Sequence, residues 1–184
     1  MESAIQGLIL TGGYSKRMGQ DKALIIDNGQ TALDKTYNLL KCSLCEVFVS
    51  VRDDQKEEKK RSEFNLIIDQ NEYSGPMAGI LSAFDVFPDS AWLVVACDMP
   101  FLDNTTIKQL IKNRNKEKVA TLFISPEDSL PEPLCAIYEP RFFQRISQDS
   151  RLIENNSPRD TLLKLDIQLI RPENPKSLIN TNYP

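Results

Sequence analysis

Short apolar runs alternate with amphipathic stretches along most of this chain, and that alternation limits the folds open to it. The runs fall at 7–10, 47–51, 66–68, 92–96, 119–124, 134–138 and 167–170. Helical spacing of apolar residues falls between them, at about 31–42, 53–63, 78–86, 103–115, 140–149 and 158–165. Asp103 is a plausible helix cap, with Ile107, Leu110 and Ile111 at helical spacing behind it. Strands separated by amphipathic segments imply βαβ units and a mostly parallel sheet covered on both faces. The expectation is a three-layer, Rossmann-like α/β fold. A length of 184 residues suits one domain with a sizeable core, and neither a linker nor an internal repeat divides the chain. A single domain over 1–184 is expected. The mixed-charge run from Arg52 to Glu63 reads as a solvated helix or loop and is assigned no function.

The first apolar run leads into the most informative segment. Residues 7–22 read GLILTGGYSKRMGQDK. The run ends in Thr11-Gly12-Gly13, followed by Ser15, Lys16, Arg17 and Lys22. A buried strand that breaks into a glycine-rich, basic loop presents backbone N–H groups and cations to phosphates. Glycine allows positive φ and close approach of a ligand, and lysine and arginine neutralise a polyphosphate. The loop is not a Walker A motif, because Lys22 is followed by Ala23 and no hydroxyl stands ready for magnesium. Gly12-Gly13 does not fit the dinucleotide fingerprint either.

Two other segments could complete a phosphate site. Leu93 to Ala96 lead directly into Cys97-Asp98-Met99-Pro100. A carboxylate at a strand's carboxyl end is well placed to hold Mg²⁺ against phosphate oxygens. Alone, Asp98 would read as a cap or turn residue; the upstream loop tips it toward a metal role. All seven glycines lie in the first 79 residues, and Gly75 and Gly79 sit in a second loop after Asp69. Open sheets of this kind bind ligands beyond the carboxyl ends of their strands. An ordinary strand-to-helix turn is the other reading of that loop.

Composition removes several function classes. The net charge of −4 argues against a general nucleic-acid binder, so the basic residues of the first loop read as a local ligand site. With no histidine, Ser-His-Asp, Cys-His and His-metal chemistry are excluded. Cys42-Ser43-Leu44-Cys45 has C-x-x-C spacing but lacks a second ligand pair, and a structural role is preferred for all four cysteines. No stretch approaches the ~18 apolar residues of a membrane span, and the N-terminus lacks a signal pattern. A cytoplasmic protein without membrane or nucleic-acid partners is expected.

The string from Leu10 to Lys22 resembles the L-x-G-G-x-S-x-R-M-G-x-D-K opening of the molybdenum cofactor guanylyltransferase (MobA) family, within the nucleotidyltransferase superfamily. Cys97 to Phe101 is similar to that family's magnesium motif, C-D-x-P-[FY]. Asp69 with Ser74 to Ile80 is similar to its D…G-P-L-A-G-[IM] segment. Pro131 to Tyr138 resembles its P-L-x-A-x-Y strand, and Asn180 to Pro184 its N-x-N-x-P ending.

The resemblance implies a nucleotide-diphospho-sugar-transferase-like fold and a set of site residues. Leu10, Thr11, Gly12, Gly13 and Lys22 would bind the nucleotide. Arg17, Lys22 and Asp98 would be catalytic, with Mg²⁺ on Asp98 and Asn182. Asp69 would contact the guanosine nucleotide or help with the metal, and Gly75 would lie beside base and ribose. Ser50 stands where the family often has a nucleotide-contacting asparagine. The family's last helix has no counterpart after Asn182, and an Asx turn is an equal reading of that residue. Arg159 would hold a pterin phosphate, or Ser157 is simply a helix cap with Pro158 behind it.

The implied reaction moves GMP from GTP to the terminal phosphate of molybdenum-molybdopterin, releasing pyrophosphate. Gly13 and Asp21-Lys22 favour GTP over CTP by likeness to the guanylyl-transferring members. Other molybdenum cofactor proteins are possible partners. Two readings stay open beside it: a related nucleotidyltransferase using CTP or a sugar-phosphate acceptor, and a non-catalytic nucleotide-binding partner.

Overall fold

A computed structural model describes residues 4–11, 21–27 and 29–179. The first strand, β1 (Ile5–Leu10), is followed by a small hairpin of β2 (Ile26–Asp27) and β3 (Gln30–Thr31) and by α1 (Ala32–Lys41). Then come β4 (Val47–Val51), β5 (Asn65–Ile68), α2 (Pro76–Val86), β6 (Ala91–Ala96) and α3 (Asn104–Lys112). The chain continues through β7 (Ala120–Ile124), β8 (Pro131–Tyr138), α4 (Pro140–Gln148), α5 (Pro158–Leu162) and β9 (Ile167–Ile170). The main sheet has seven described strands in the order β5-β4-β1-β6-β8-β7-β9.

Alternation along the strands feeds two cores, one on each face of the sheet. Leu8, Leu10, Trp92 and Val94 pack with Ile80 and Phe84 of α2 and Phe142 of α4. Ile9, Val49, Val95 and Phe123 pack with Leu33 and Leu40 of α1 and Ile107 and Leu110 of α3. This is the expected three-layer α/β architecture. The caps follow from the local sequence. Thr31 and Asp34 form a capping box on α1, and Asp103 accepts from Thr106 N at 2.8 Å to start α3.

Three features differ from the sequence expectation. The 53–63 segment is not a helix; it holds 3₁₀ turns at Asp53–Gln55 and Arg61–Glu63. The Glu58 carboxylate accepts from the N–H groups of Lys60 and Arg61, at 3.0 and 3.1 Å, and so fixes a turn between them. β8 begins at Pro131 rather than at 134, and it runs antiparallel to both neighbours while the other sheet pairings are parallel. The β2–β3 hairpin, only two residues per strand, is too short to leave a periodic signal. Among the described residues, no helix is long and apolar enough to cross a membrane.

Candidate active site

The parallel pairing of β1 with β4 and β6 brings their carboxyl ends to one edge of the sheet. A cavity of about 210 Å³ opens there between Leu10 and Thr11 at the end of β1 and Ala96, Cys97 and Asp98 at the end of β6. Asp21, Lys22, Pro76 and Leu134 complete its walls. Leu134 reaches this edge because β8 is reversed: Cys135 pairs with Val95, so the start of β8 lies beside the end of β6. A second cleft, about 580 Å³, lies beyond β4 and β5 and is lined by Arg52, Asp69, Tyr73, Gly75 and Ala78 among others. The first turn of α2 borders both clefts and directs the positive end of the helix dipole toward them. Gly75 precedes that turn with φ of 63°, a left-handed conformation that favours glycine.

Asp98 carries the clearest unmet demand in the cavity. Its Oδ1 is buried and has no hydrogen-bond partner among the described residues. A buried carboxylate oxygen left unpartnered is costly and calls for a cation or donor. Lys22 is half-buried on the same cavity. Burial pushes the neighbouring Cys97 thiol up to about 12, so it is no nucleophile near neutral pH.

The segment assigned no function from its sequence contributes the most buried charge here. Arg61 is only 1% exposed. Its Nη2 donates to Asp21 Oδ2 at 2.7 Å and its Nε to Thr11 Oγ1 at 3.4 Å. Thr11 Oγ1 in turn donates to the Ser50 carbonyl at 2.8 Å. Gln55, in the same segment, donates to Asp21 Oδ2 at 3.4 Å. A mixed-charge run conceals such a residue, because nothing local marks one arginine among many charges as buried.

Ser50 lines neither cleft; its side chain is buried and donates to Asp69 Oδ1 at 2.6 Å. Burial raises the Asp69 carboxyl to about 6, against the lowering pull of the Ser50 hydrogen bond and the Arg52 charge. Ser157 caps α5, with Pro158 as its first residue, and Arg159 lies against Asp128 (2.6 Å) and Glu132 (3.7 Å). Leu10, Thr11, Lys22 and Asp98 are thus brought together on one cavity, and Asp69 and Gly75 on its neighbour. Gly12, Gly13, Arg17 and Asn182 lie outside the described residues.

Residues 7–166 match the model of the MobA-like NTP transferase domain. The chain belongs to that family. A bifunctional molybdenum cofactor biosynthesis protein of Synechocystis is 36% identical over 183 residues, covering 100% of this chain and 52% of the relative. The chain therefore spans about half the length of that protein. A probable molybdenum cofactor guanylyltransferase of Methanocaldococcus jannaschii is 33% identical over 149 residues, or 76% of this chain and 72% of the relative. Among solved structures, molybdopterin-guanine dinucleotide biosynthesis protein A of Archaeoglobus fulgidus superposes with a TM-score of 0.76 at 26% identity, covering 97% and 93% of the two chains. The MobA-like fold is therefore present with its strand-end edge lined by Lys22 and Asp98.

A magnesium ion can be tested against these residues. Mg²⁺ keeps several waters and is bound through one or two carboxylates plus substrate phosphates. One strand-end carboxylate with an unpartnered buried oxygen fits that donor set. Among the described residues no group of three acidic or thiol ligands exists.

Proposed function

We propose that this chain is a molybdenum cofactor guanylyltransferase, moving GMP from GTP to the terminal phosphate of molybdopterin carrying molybdenum. One observation carries the reading: Lys22 and Asp98 line the same cavity at the strand ends of a MobA-like domain, and one Asp98 carboxylate oxygen is buried with no hydrogen-bond partner among the described residues. The relatives named for this activity support the choice of nucleotide and acceptor.

The reaction requires little proton chemistry. A phosphate oxyanion of the acceptor attacks the α-phosphorus, a new O–P bond forms, and the bridging bond to the β-phosphate breaks to release pyrophosphate. The attacking oxygen is already charged at neutral pH, so no general base is needed, in keeping with a chain that has no histidine. Lys22 would offset charge on the β and γ phosphates. Asp98 would hold Mg²⁺, which supplies charge stabilisation at the transferring phosphorus. The walls formed by Thr11, Pro76 and Leu134 would align the phosphates, and alignment with electrostatic stabilisation would supply most of the rate. The wider cleft beside Asp69 and Gly75 would take base and ribose. Arg17, Gly12 and Gly13 would join Lys22 at the phosphates, and Asn182 would join Asp98 at the metal.

The same reading makes the chain a cytoplasmic enzyme of one domain, residues 1–184, that meets other molybdenum cofactor proteins. Calorimetry with GTP, CTP, ATP and UTP, with and without Mg²⁺, is the direct test. Preference for GTP with Mg²⁺, followed by pyrophosphate release in the presence of molybdenum-loaded molybdopterin, is the expected result. Preference for CTP would move the chain to the cytidylyl-transferring relatives, and nucleotide binding without turnover would leave a non-catalytic partner.

A further inference from the structure

Arg61 does not line the cavity, yet it holds two residues that do. Thr11 ends the first strand's wall. Asp21 uses its two carboxylate oxygens differently: Oδ2 accepts from Arg61 at 2.7 Å, and Oδ1 accepts from Ala23 N at 3.1 Å. The second bond caps the 3₁₀ turn Lys22–Leu24, so the orientation of the Asp21 carboxylate fixes the start of the turn that carries Lys22. Arg61 is itself locked. Its backbone N–H donates to Glu58 Oε2 at 3.1 Å, and the same oxygen lies 3.6 Å from Nη1.

Removing a guanidinium from water is unfavourable and is tolerated only with well-made partners. A core that needed only volume at this point would be served by an apolar side chain. A planar fork spanning a hydroxyl and a carboxylate supplies direction, which a lysine ammonium on a flexible stem does not. We propose that Arg61 is a positioning residue: by bridging Thr11 and Asp21 it sets where Lys22 stands at the phosphates. The inference rests on the nucleotidyl-transfer reading for its ligand. It adds a residue whose influence runs through Asp21 rather than through contact with substrate.

The test is a coupling measurement on the full chain, with Mg·GTP and inorganic triphosphate as probes. Arg61→Lys and Arg61→Gln are assayed below the melting temperature of each variant, which is recorded alongside. Both are expected to weaken affinity about 10–100-fold, the range for losing an outer-shell support of a binding group, with lysine the milder change. In a Lys22→Ala background the same substitutions are expected to have little further effect. A role in stability alone would lower the melting temperature in both backgrounds and leave affinity unchanged in the folded protein, which overturns the proposal. Full additivity with Lys22→Ala overturns it as well. If Arg61→Gln does not fold, Arg61→Lys and Asp21→Asn carry the same comparison. Wild-type protein that binds triphosphate without preferring GTP refutes the guanylyl reading and leaves the Arg61 comparison intact. Wild-type protein that binds neither probe refutes both.

Discussion

Gly79→Ala tests how the wall between the two clefts is built. Gly79 lies in α2, where glycine costs about 1 kcal/mol relative to alanine. The added methyl has no room: a Cβ there would stand 2.3 Å from Ser50 Oγ, 2.7 Å from Leu10 Cδ2 and 3.0 Å from Ser50 Cβ. Ser50 Oγ cannot turn aside freely, because it donates to Asp69 Oδ1 at 2.6 Å. Overpacking a core costs about 1–3 kcal/mol, and a hydrogen bond to a charged group is worth about 1.5–3 kcal/mol. Against the gain in helix propensity, a net loss of about 2–4 kcal/mol is expected. At this chain length that corresponds to a drop in melting temperature of roughly 5–15 °C. Urea and thermal unfolding measure it, and GTP titration of the folded variant reads the displaced Asp69. Ser50→Ala combined with Gly79→Ala should cost less than the two single changes together, since removing Oγ relieves the shortest contact. A stabilised Gly79→Ala, or strict additivity with Ser50→Ala, would refute the packing argument.

Four further outcomes are expected. The folded protein holds the Asp69 carboxyl at about 6 through burial, against an ordinary value of 3.8, so the folded form binds that proton more tightly than the unfolded chain. The Asp69 contribution to stability is therefore full below about pH 4, lost as pH rises to about 6, and flat above; Asp69→Asn should flatten this slope in denaturant titrations and gain stability at pH 8. An unchanged slope in Asp69→Asn would count against the assignment. Asp98→Asn neutralises a buried carboxylate whose Oδ1 has no hydrogen-bond partner among the described residues, so it should leave the nucleotide-free melting temperature equal or higher while abolishing the Mg²⁺ effect on GTP binding. Turnover of Asp98→Asn or Lys22→Ala should fall about 10²–10³-fold, about 3 kcal/mol of barrier, and wild-type rates in either would remove that residue from the mechanism. Alkylation at pH 8 should modify exposed Cys42 and Cys45 first, slow at half-buried Cys97, whose thiol burial pushes up, and spare buried Cys135; intact mass showing four rapid additions would contradict the burial of Cys135.

The strand ends are legible in the amino-acid sequence because their signals are local. A short stretch of consecutive residues suffices to mark a buried run that stops at Thr11 or just before Asp98, and the terminal group follows the run directly. The helix from Asp103 is legible for the same reason, since its cap and its apolar face lie within one short window. The 53–63 segment misleads because charged residues at helical spacing look alike whether they face solvent or the interior. The family pattern puts Ser50 where a nucleotide-contacting asparagine often stands, and only the packing of β4 against β5 and α2 turns its hydroxyl to Asp69.

The layer architecture and the family are legible in the sequence, and Lys22 and Asp98 stand out there as candidates, because periodicity and short motifs are set by neighbours along the chain. Tertiary structure alone decided that β8 runs backward to bring Leu134 to the cavity, and that Arg61 leaves solvent to join Thr11 and Asp21. Those partners lie 50 and 40 residues away from it. Burial of a charge is a balance between desolvation and the partners that meet it, and partners so distant in sequence exist only once the sheet has formed.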